Sequence, residues 1–84
     1  MNDNKFHIDL YVDILMAKKY KVVLTPLSEE DGGGWLAEVP DLPGCMTDGD
    51  TKEEALRELE SAKSAWFEAC LECGKPIPEP TTYY

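Results

Sequence analysis

Apolar positions along the chain follow two rhythms. From Phe6 to Ala17 the two overlap. Phe6, Ile8, Leu10, Val12 and Ile14 alternate with His7, Asp9, Tyr11 and Asp13, which is the period of a strand. Ile8, Tyr11, Val12 and Leu15 also fall at helical spacing, and Leu15, Met16, Ala17 and Lys18 are good helix formers. The expectation is a short N-terminal helix over roughly the second half of this segment, with a strand as the alternative. From Tyr20 to Leu27 only the strand rhythm holds. Tyr20, Val22 and Leu24 point one way and Lys21, Val23 and Thr25 the other, until Pro26 ends the pairing or marks an edge. Ser28 to Gly34 is a turn, with three glycines free to take positive φ. Trp35 to Val39 returns as a second strand, with Trp35, Ala37 and Val39 on one face and Leu36 and Glu38 on the other.

Pro40-Asp41-Leu42-Pro43-Gly44 is a rigid corner, because each proline fixes its own φ and extends the residue before it. A short third strand follows from Cys45 to Asp48, closed by Gly49, and the three strands are expected to form an antiparallel meander. The rhythm then becomes helical. Thr51 can cap, and Glu54 stands at capping-box spacing to reach back to the cap amide. Ala55, Leu59, Ala62, Trp66, Ala69 or Cys70, and Cys73 form the apolar stripe of a helix from about Lys52 to Cys73. Gly74 stops it and Pro76 prevents its continuation. Docking the stripe on one sheet face is the evident way to bury both. The fold class is therefore α+β: a three-stranded antiparallel sheet with one long helix packed on it, plus a short N-terminal helix. A single domain is expected, with an N-terminal segment (1–19), a core (20–74) and an extended, proline-rich tail (75–84). In the tail only Ile77, Tyr83 and Tyr84 offer apolar anchors.

Charge narrows the function. The 84 residues include 17 acidic and 8 basic side chains, a net charge of −9. Direct binding of nucleic acid needs clustered Lys and Arg, so it is not expected. A basic protein, by contrast, would be steered toward such a surface. No stretch approaches the ~20 apolar residues that span a bilayer, and the first residues lack the pattern of a secretory signal. An odd number of cysteines, three, fits a reducing compartment. A cytoplasmic protein is expected.

Candidate catalytic motifs are weak. The glycine run lacks a P-loop's Lys-Ser/Thr and opens no helix. Cys70-Leu71-Glu72-Cys73 sits at a helix C-terminus, where the dipole opposes a thiolate, and only Cys45 and His7 remain as further zinc ligands. Core cysteines are the better reading. His7 has no nucleophile tied to it by spacing, and a solvated histidine is the plainer account. Asp41, Asp48 and Asp50 cluster around the third strand and could hold a divalent metal for phosphoryl chemistry, although turn and edge residues commonly look the same. Neither a cofactor nor a metal is expected. Trp66 falls on the helix stripe, and Trp35, beside the glycine turn, suits a core position and an interface equally well.

The run from Gly33 to Ala55 resembles the signature of HicB-like antitoxins. It has a Gly-Gly-aromatic start, the Val39-Pro40-Asp41-Leu42-Pro43-Gly44-Cys45 corner, and Gly49-Asp50-Thr51 followed by Glu53-Glu54-Ala55. The helix with Ala62 and Trp66, then Gly74, Ile77, Pro78 and Pro80, continue the likeness, which covers roughly Tyr20 to Pro80. The resemblance implies a partial ribonuclease-H-like β-β-β-α fold without that fold's catalysis. It also implies an antitoxin that sequesters a small basic, mRNA-cleaving toxin of the HicA type. Many family members continue into a further strand and a DNA-binding domain, whereas the tail here shows no helix-turn-helix or basic arm. The alternatives are an orphan domain of the same fold without a toxin partner, and a residual metal-dependent nuclease. The expected partner-binding residues are Glu38, Asp48 and Asp50, with Glu29 and Glu30 at the rim and Trp35 beside them. Self-association, most simply as a two-fold dimer, is expected from the small core, the open sheet edges and the tail.

Overall fold

The computed structural model describes residues 3–81, with side chains from residue 7 onward; expectations for Tyr83 and Tyr84 lie outside the described residues. The elements run α1 (Asp3–Met16), β1 (Val23–Pro26), a 3-10 turn (Glu29–Asp31), β2 (Trp35–Glu38), β3 (Met46–Gly49) and α2 (Lys52–Cys73). The strands form one antiparallel sheet in the order β1-β2-β3. α2 lies across one face, and α1 packs against α2. This is the α+β arrangement that the sequence rhythms predict.

α2 begins and ends as expected. Thr51 Oγ accepts from the Glu54 amide at 3.0 Å, and Gly74 closes the helix in the left-handed region at φ 70°. One detail differs. The Glu54 carboxylate takes the amide of Asp50 at 3.1 Å rather than that of the cap residue. The buried stripe also differs. Its fully buried members are Ala55, Leu59, Lys63 and Phe67, a strict four-residue spacing. Ala62, Trp66 and Cys70 flank it half-buried, while Ala69 and Cys73 are exposed. The ridge at spacing four contains a lysine, which hides it in a hydrophobicity reading. Lys63 fits because its stem lies in the core while its ammonium reaches Glu60 at 3.3 Å.

The sheet face under α2 carries Ala37 and Val39, both essentially inaccessible. Leu24, Ala37 and Thr47 are in register across the three strands, and Thr47 Oγ1 donates to the Ala55 carbonyl at 2.9 Å. Two glycines allow the helix entry to sit this close. A Cβ on Gly49 would lie 2.6 Å from the Ala55 amide nitrogen, and one on Gly34 would collide with the Gly49 carbonyl. The corner folds onto itself. Val39 donates to Cys45, Leu42 to Val39 and Cys45 to Leu42, which turns Leu42 inward as a plug with no exposure.

β1 is shorter than the apolar alternation suggests. Residues before Val23 find no ladder partner, because the register puts Lys21 opposite Pro40, which has no N–H to offer, while Val39 turns its amide to Cys45 on the β3 side. Tyr20 instead enters the core and donates its hydroxyl to the Pro78 carbonyl at 2.6 Å. α1 is longer than expected. Val12 is buried and Ile8, Leu15 and Met16 are half-buried, a helical face laid against the core, so tertiary packing selects the helical rhythm over the strand one. The tail carries no regular structure through Thr81. Ile77 packs on the core, Glu79 pairs with Lys18 at 2.7 Å, and Thr81 binds the Asp41 carboxylate through its amide at 2.9 Å and its hydroxyl at 2.7 Å.

Candidate functional site

The sheet face opposite α2 bears no element of the described chain. Strand alternation and register define its contents. One row is Val23, Glu38 and Met46; the next is Thr25, Leu36 and Asp48. Met46 is 49% exposed, an unusual position for a large apolar side chain unless something covers it. Val23 and Leu36 are half-buried beside it. The centre of the face is thus a small apolar strip with a carboxylate in each row.

Glu38 faces Met46 across the β2–β3 ladder, and Asp48 faces Leu36. The two acids are therefore diagonal neighbours, a relationship with a backbone separation of about 7–8 Å. A Lys or Arg placed between them can meet both, and the like charges favour its arrival. Glu38 is half-buried and Asp48 exposed. A cation bound at Glu38 loses more water than one bound at Asp48, so it interacts in a lower local dielectric.

The other expected residues lie apart from this pair. Asp50 follows Gly49 beyond the strand, exposed at the entrance to α2, with its amide held by Glu54. Glu29 and Glu30 stand at the tip of the β1–β2 hairpin, in a 3-10 turn capped by Ser28 and closed by Gly32 at φ 98°. Trp35 lies on the helix side of the sheet, the face away from Glu38 and Asp48. It is half-buried against the core with the Lys52 ammonium 4.7 Å from its ring centroid. The geometry accordingly joins Glu38 with Asp48 on one face, leaves Asp50, Glu29 and Glu30 at one end of the sheet, and turns Trp35 inward.

The aspartate trio is not gathered. Asp41 belongs to the corner after β2, at the opposite end of the sheet from Asp50, and its carboxylate is engaged by Thr81. Those hydrogen bonds hold its carboxyl below the usual aspartate value. Among the described residues no group of three His, Cys, Asp or Glu side chains is placed to hold a metal ion. Cys45 is buried, and desolvation raises its thiol pKa, so the thiolate is disfavoured. Cys70 is half-buried in the last turns of α2, and Cys73 is exposed at its end. Among the described residues no helix is long and apolar enough to cross a membrane.

The sequence reading missed Met46 and Val23 as members of the surface. Alternation from Leu36 and Glu38, carried across the register, was the signal that could have found them.

Residues 20–83 match the model of a family described as the HicB-like antitoxin of bacterial toxin-antitoxin systems. A UPF0150 protein of Synechocystis is 39% identical over 59 residues, which cover 70% of this chain and 77% of that one. A UPF0150 protein of Thermoplasma acidophilum is 38% identical over 60 residues, 71% of this chain and 83% of the relative. A longer relative, Antitoxin HicB 1 of Photorhabdus laumondii, is 39% identical over 67 residues, 80% of this chain but 41% of its own length. The match spans the meander, the corner, α2 and the tail, and leaves α1 outside it. The chain belongs to the HicB-like antitoxin family.

Proposed function

We propose that this protein is the antitoxin of a type II pair and neutralises a small, basic, mRNA-cleaving toxin of the HicA type by covering its active surface. The observation that carries the reading is the open sheet face, where exposed Met46 and half-buried Val23 and Leu36 lie among Glu38, Asp48 and Thr25. The family supports a toxin partner, and the net charge of −9 suits a basic one. On this reading the apolar strip supplies the desolvated centre of the contact, and Glu38 and Asp48 receive toxin Lys or Arg side chains. Asp50, Glu29 and Glu30 act from the rim, where charges set the association rate and its salt dependence more than the lifetime of the complex. Trp35 contributes by holding the sheet against the α2 entrance. The protein does no chemistry itself; occlusion is sufficient.

The test is expression of any small basic protein encoded beside this gene, alone and together with this chain, with growth as the readout. Rescue by the parent chain, lost on combined Glu38→Gln and Asp48→Asn substitution with the fold intact, supports the reading. A neighbouring protein that is harmless alone, or toxic despite this chain, removes it. Rescue that survives both substitutions keeps the antitoxin role and removes the sheet face as its seat.

A further inference from the structure

We propose that Cys70 and Cys73 form a two-coordinate site for a soft monovalent metal ion of the Cu⁺ type at the C-terminal end of α2. The inference does not depend on the toxin reading. It begins from a sequence motif that the proposed function leaves unused. The apolar stripe read from the sequence assigns both cysteines to the core, yet Cys70 is half-buried and Cys73 exposed. Both are free thiols, and the buried ridge of α2, Ala55, Leu59, Lys63 and Phe67, includes neither. With Pro43, Trp66, Ala69 and Lys75 they line one depression of about 310 Å³.

The helix sets the spacing of the two sulfurs. Residues three apart on a helix have Cβ atoms about 5–6 Å from one another. Each Cα–Cβ bond tilts toward the helix N-terminus, so the Cys73 side chain leans toward Cys70. Two thiolate–metal bonds of about 2.3 Å, laid end to end, span ~4.6 Å, a separation this pair can reach without moving the backbone. Trp66 stands one turn before Cys70, and its indole N–H is fixed on the Pro43 carbonyl at 2.9 Å, which makes the ring a firm wall of the depression. On the other side Gly74 reverses the chain. The Lys75 amide then donates to the Cys70 carbonyl at 3.0 Å, which brings Lys75 back to the same depression.

The ligand set and the local charge select the ion. Among the described residues no third His, Cys, Asp or Glu side chain completes a larger site. Structural zinc takes four ligands, and calcium and magnesium take six or more oxygens. A pair of thiolates with nothing added instead suits a soft monovalent ion, for which sulfur is the preferred donor. Binding releases both thiol protons and leaves a bis-thiolate complex with one net negative charge. Lys75, on the rim of the depression, offsets that charge. The partial negative charge at the end of α2 also favours a cation held there. Cys45 takes no part, because it is buried in the core and lies outside the lining of this depression. α2 covers the sheet face opposite Glu38 and Asp48, so an ion bound here leaves their surface open.

The experiment is anaerobic titration of the reduced full chain with Cu⁺, supplied as its complex with a coloured chelator whose bleaching reports transfer to the protein. The parent is expected to take up one ion per chain, and excess Zn²⁺ is expected not to displace it. Loss of even an outer partner of a metal site costs roughly 10–100-fold in affinity, so Cys73→Ser and Cys70→Ser, each removing a ligand, are expected to weaken binding by about 100-fold or more. Circular dichroism checks that each variant is folded; if Cys70→Ser is not, Cys73→Ser, at an exposed position, gives the same reading. Alkylation of the parent followed by mass spectrometry is expected to show Cys70 and Cys73 protected by the ion. No uptake against the chelator overturns the proposal. So does undiminished uptake by folded Cys73→Ser, one ion shared by two chains, displacement by Zn²⁺, or alkylation of Cys73 that the ion leaves unchanged.

Discussion

Phe67→Ala is the sharpest test of how the core is organised. The Phe67 side chain has no exposure, and its ring lies 5.7 Å from that of Tyr20, tilted, and 6.0 Å from that of Trp66, edge-on. It therefore ties α2 to the segment before β1. Truncating a buried Phe costs about 3–5 kcal/mol, from lost transfer energy and the cavity left behind. The total stability of an 84-residue domain is about 4–13 kcal/mol, so the loss is a large share of it. Trp66, one position earlier, is larger but only half-buried, and its indole N–H donates to the Pro43 carbonyl at 2.9 Å near the surface. Its truncation should cost about half as much, ~2 kcal/mol. Urea unfolding followed by far-UV circular dichroism separates the two. Phe67→Ala should shift the midpoint far more than Trp66→Ala, with the slope unchanged in both. In thermal melts, about 4–8 °C per kcal/mol predicts a drop of at least ~12 °C for Phe67→Ala. Equal losses, or a larger loss for Trp66→Ala, would refute the assignment of Phe67 as the central anchor.

Three further outcomes follow from particular contacts. Gly49→Ala sets a methyl 2.6 Å from the Ala55 amide nitrogen and should destabilise by about 1–3 kcal/mol, measured by the same urea titration. Asp41, held below the ordinary aspartate value of 3.8 by the Thr81 hydrogen bonds, contributes stability that is fully present above that value and lost as pH falls through its lower folded value; amide exchange at Thr81 should speed up in that acid window, and Asp41→Asn should abolish this pH dependence. Lys63→Met keeps the buried stem and removes an ion pair with an exposed Glu60, so it should leave stability unchanged or raise it, whereas Lys63→Ala should lower it; a large loss with Met would show that the ammonium matters.

The elements set by local chemistry were legible in the sequence. The limits of α2 follow from Thr51 and Gly74, and the corner from its two prolines and Gly44. What was not legible depended on partners distant in sequence. The spacing-four ridge of α2 passes through Lys63, so an apolar scan follows the neighbouring line through Ala62 and Trp66 and overlooks Phe67. α1 satisfies two periods at once, and only its contact with α2 decides between them. The trimmed β1 reflects Pro40 opposite Lys21, a pairing that only the register reveals. The candidate surface was legible in part. Alternation along β2 separates Glu38 from Trp35, but pairing Glu38 with Asp48 and adding Met46 and Val23 requires the register. The engagement of Asp41 by Thr81, 40 residues away, had no local signal.

The central claim is that the open sheet face holds a basic toxin. Its most direct test is titration of a purified small basic protein that this chain neutralises in the growth assay into the parent chain and into the combined Glu38→Gln, Asp48→Asn variant, with Leu56→Glu on the outer side of α2 as a control. Loss of a desolvated charge contact is expected to cost about 2–5 kcal/mol, an affinity drop of roughly 30-fold or more, with the control unchanged. Undiminished binding by the double variant, or a drop confined to the α2 control, would contradict the account.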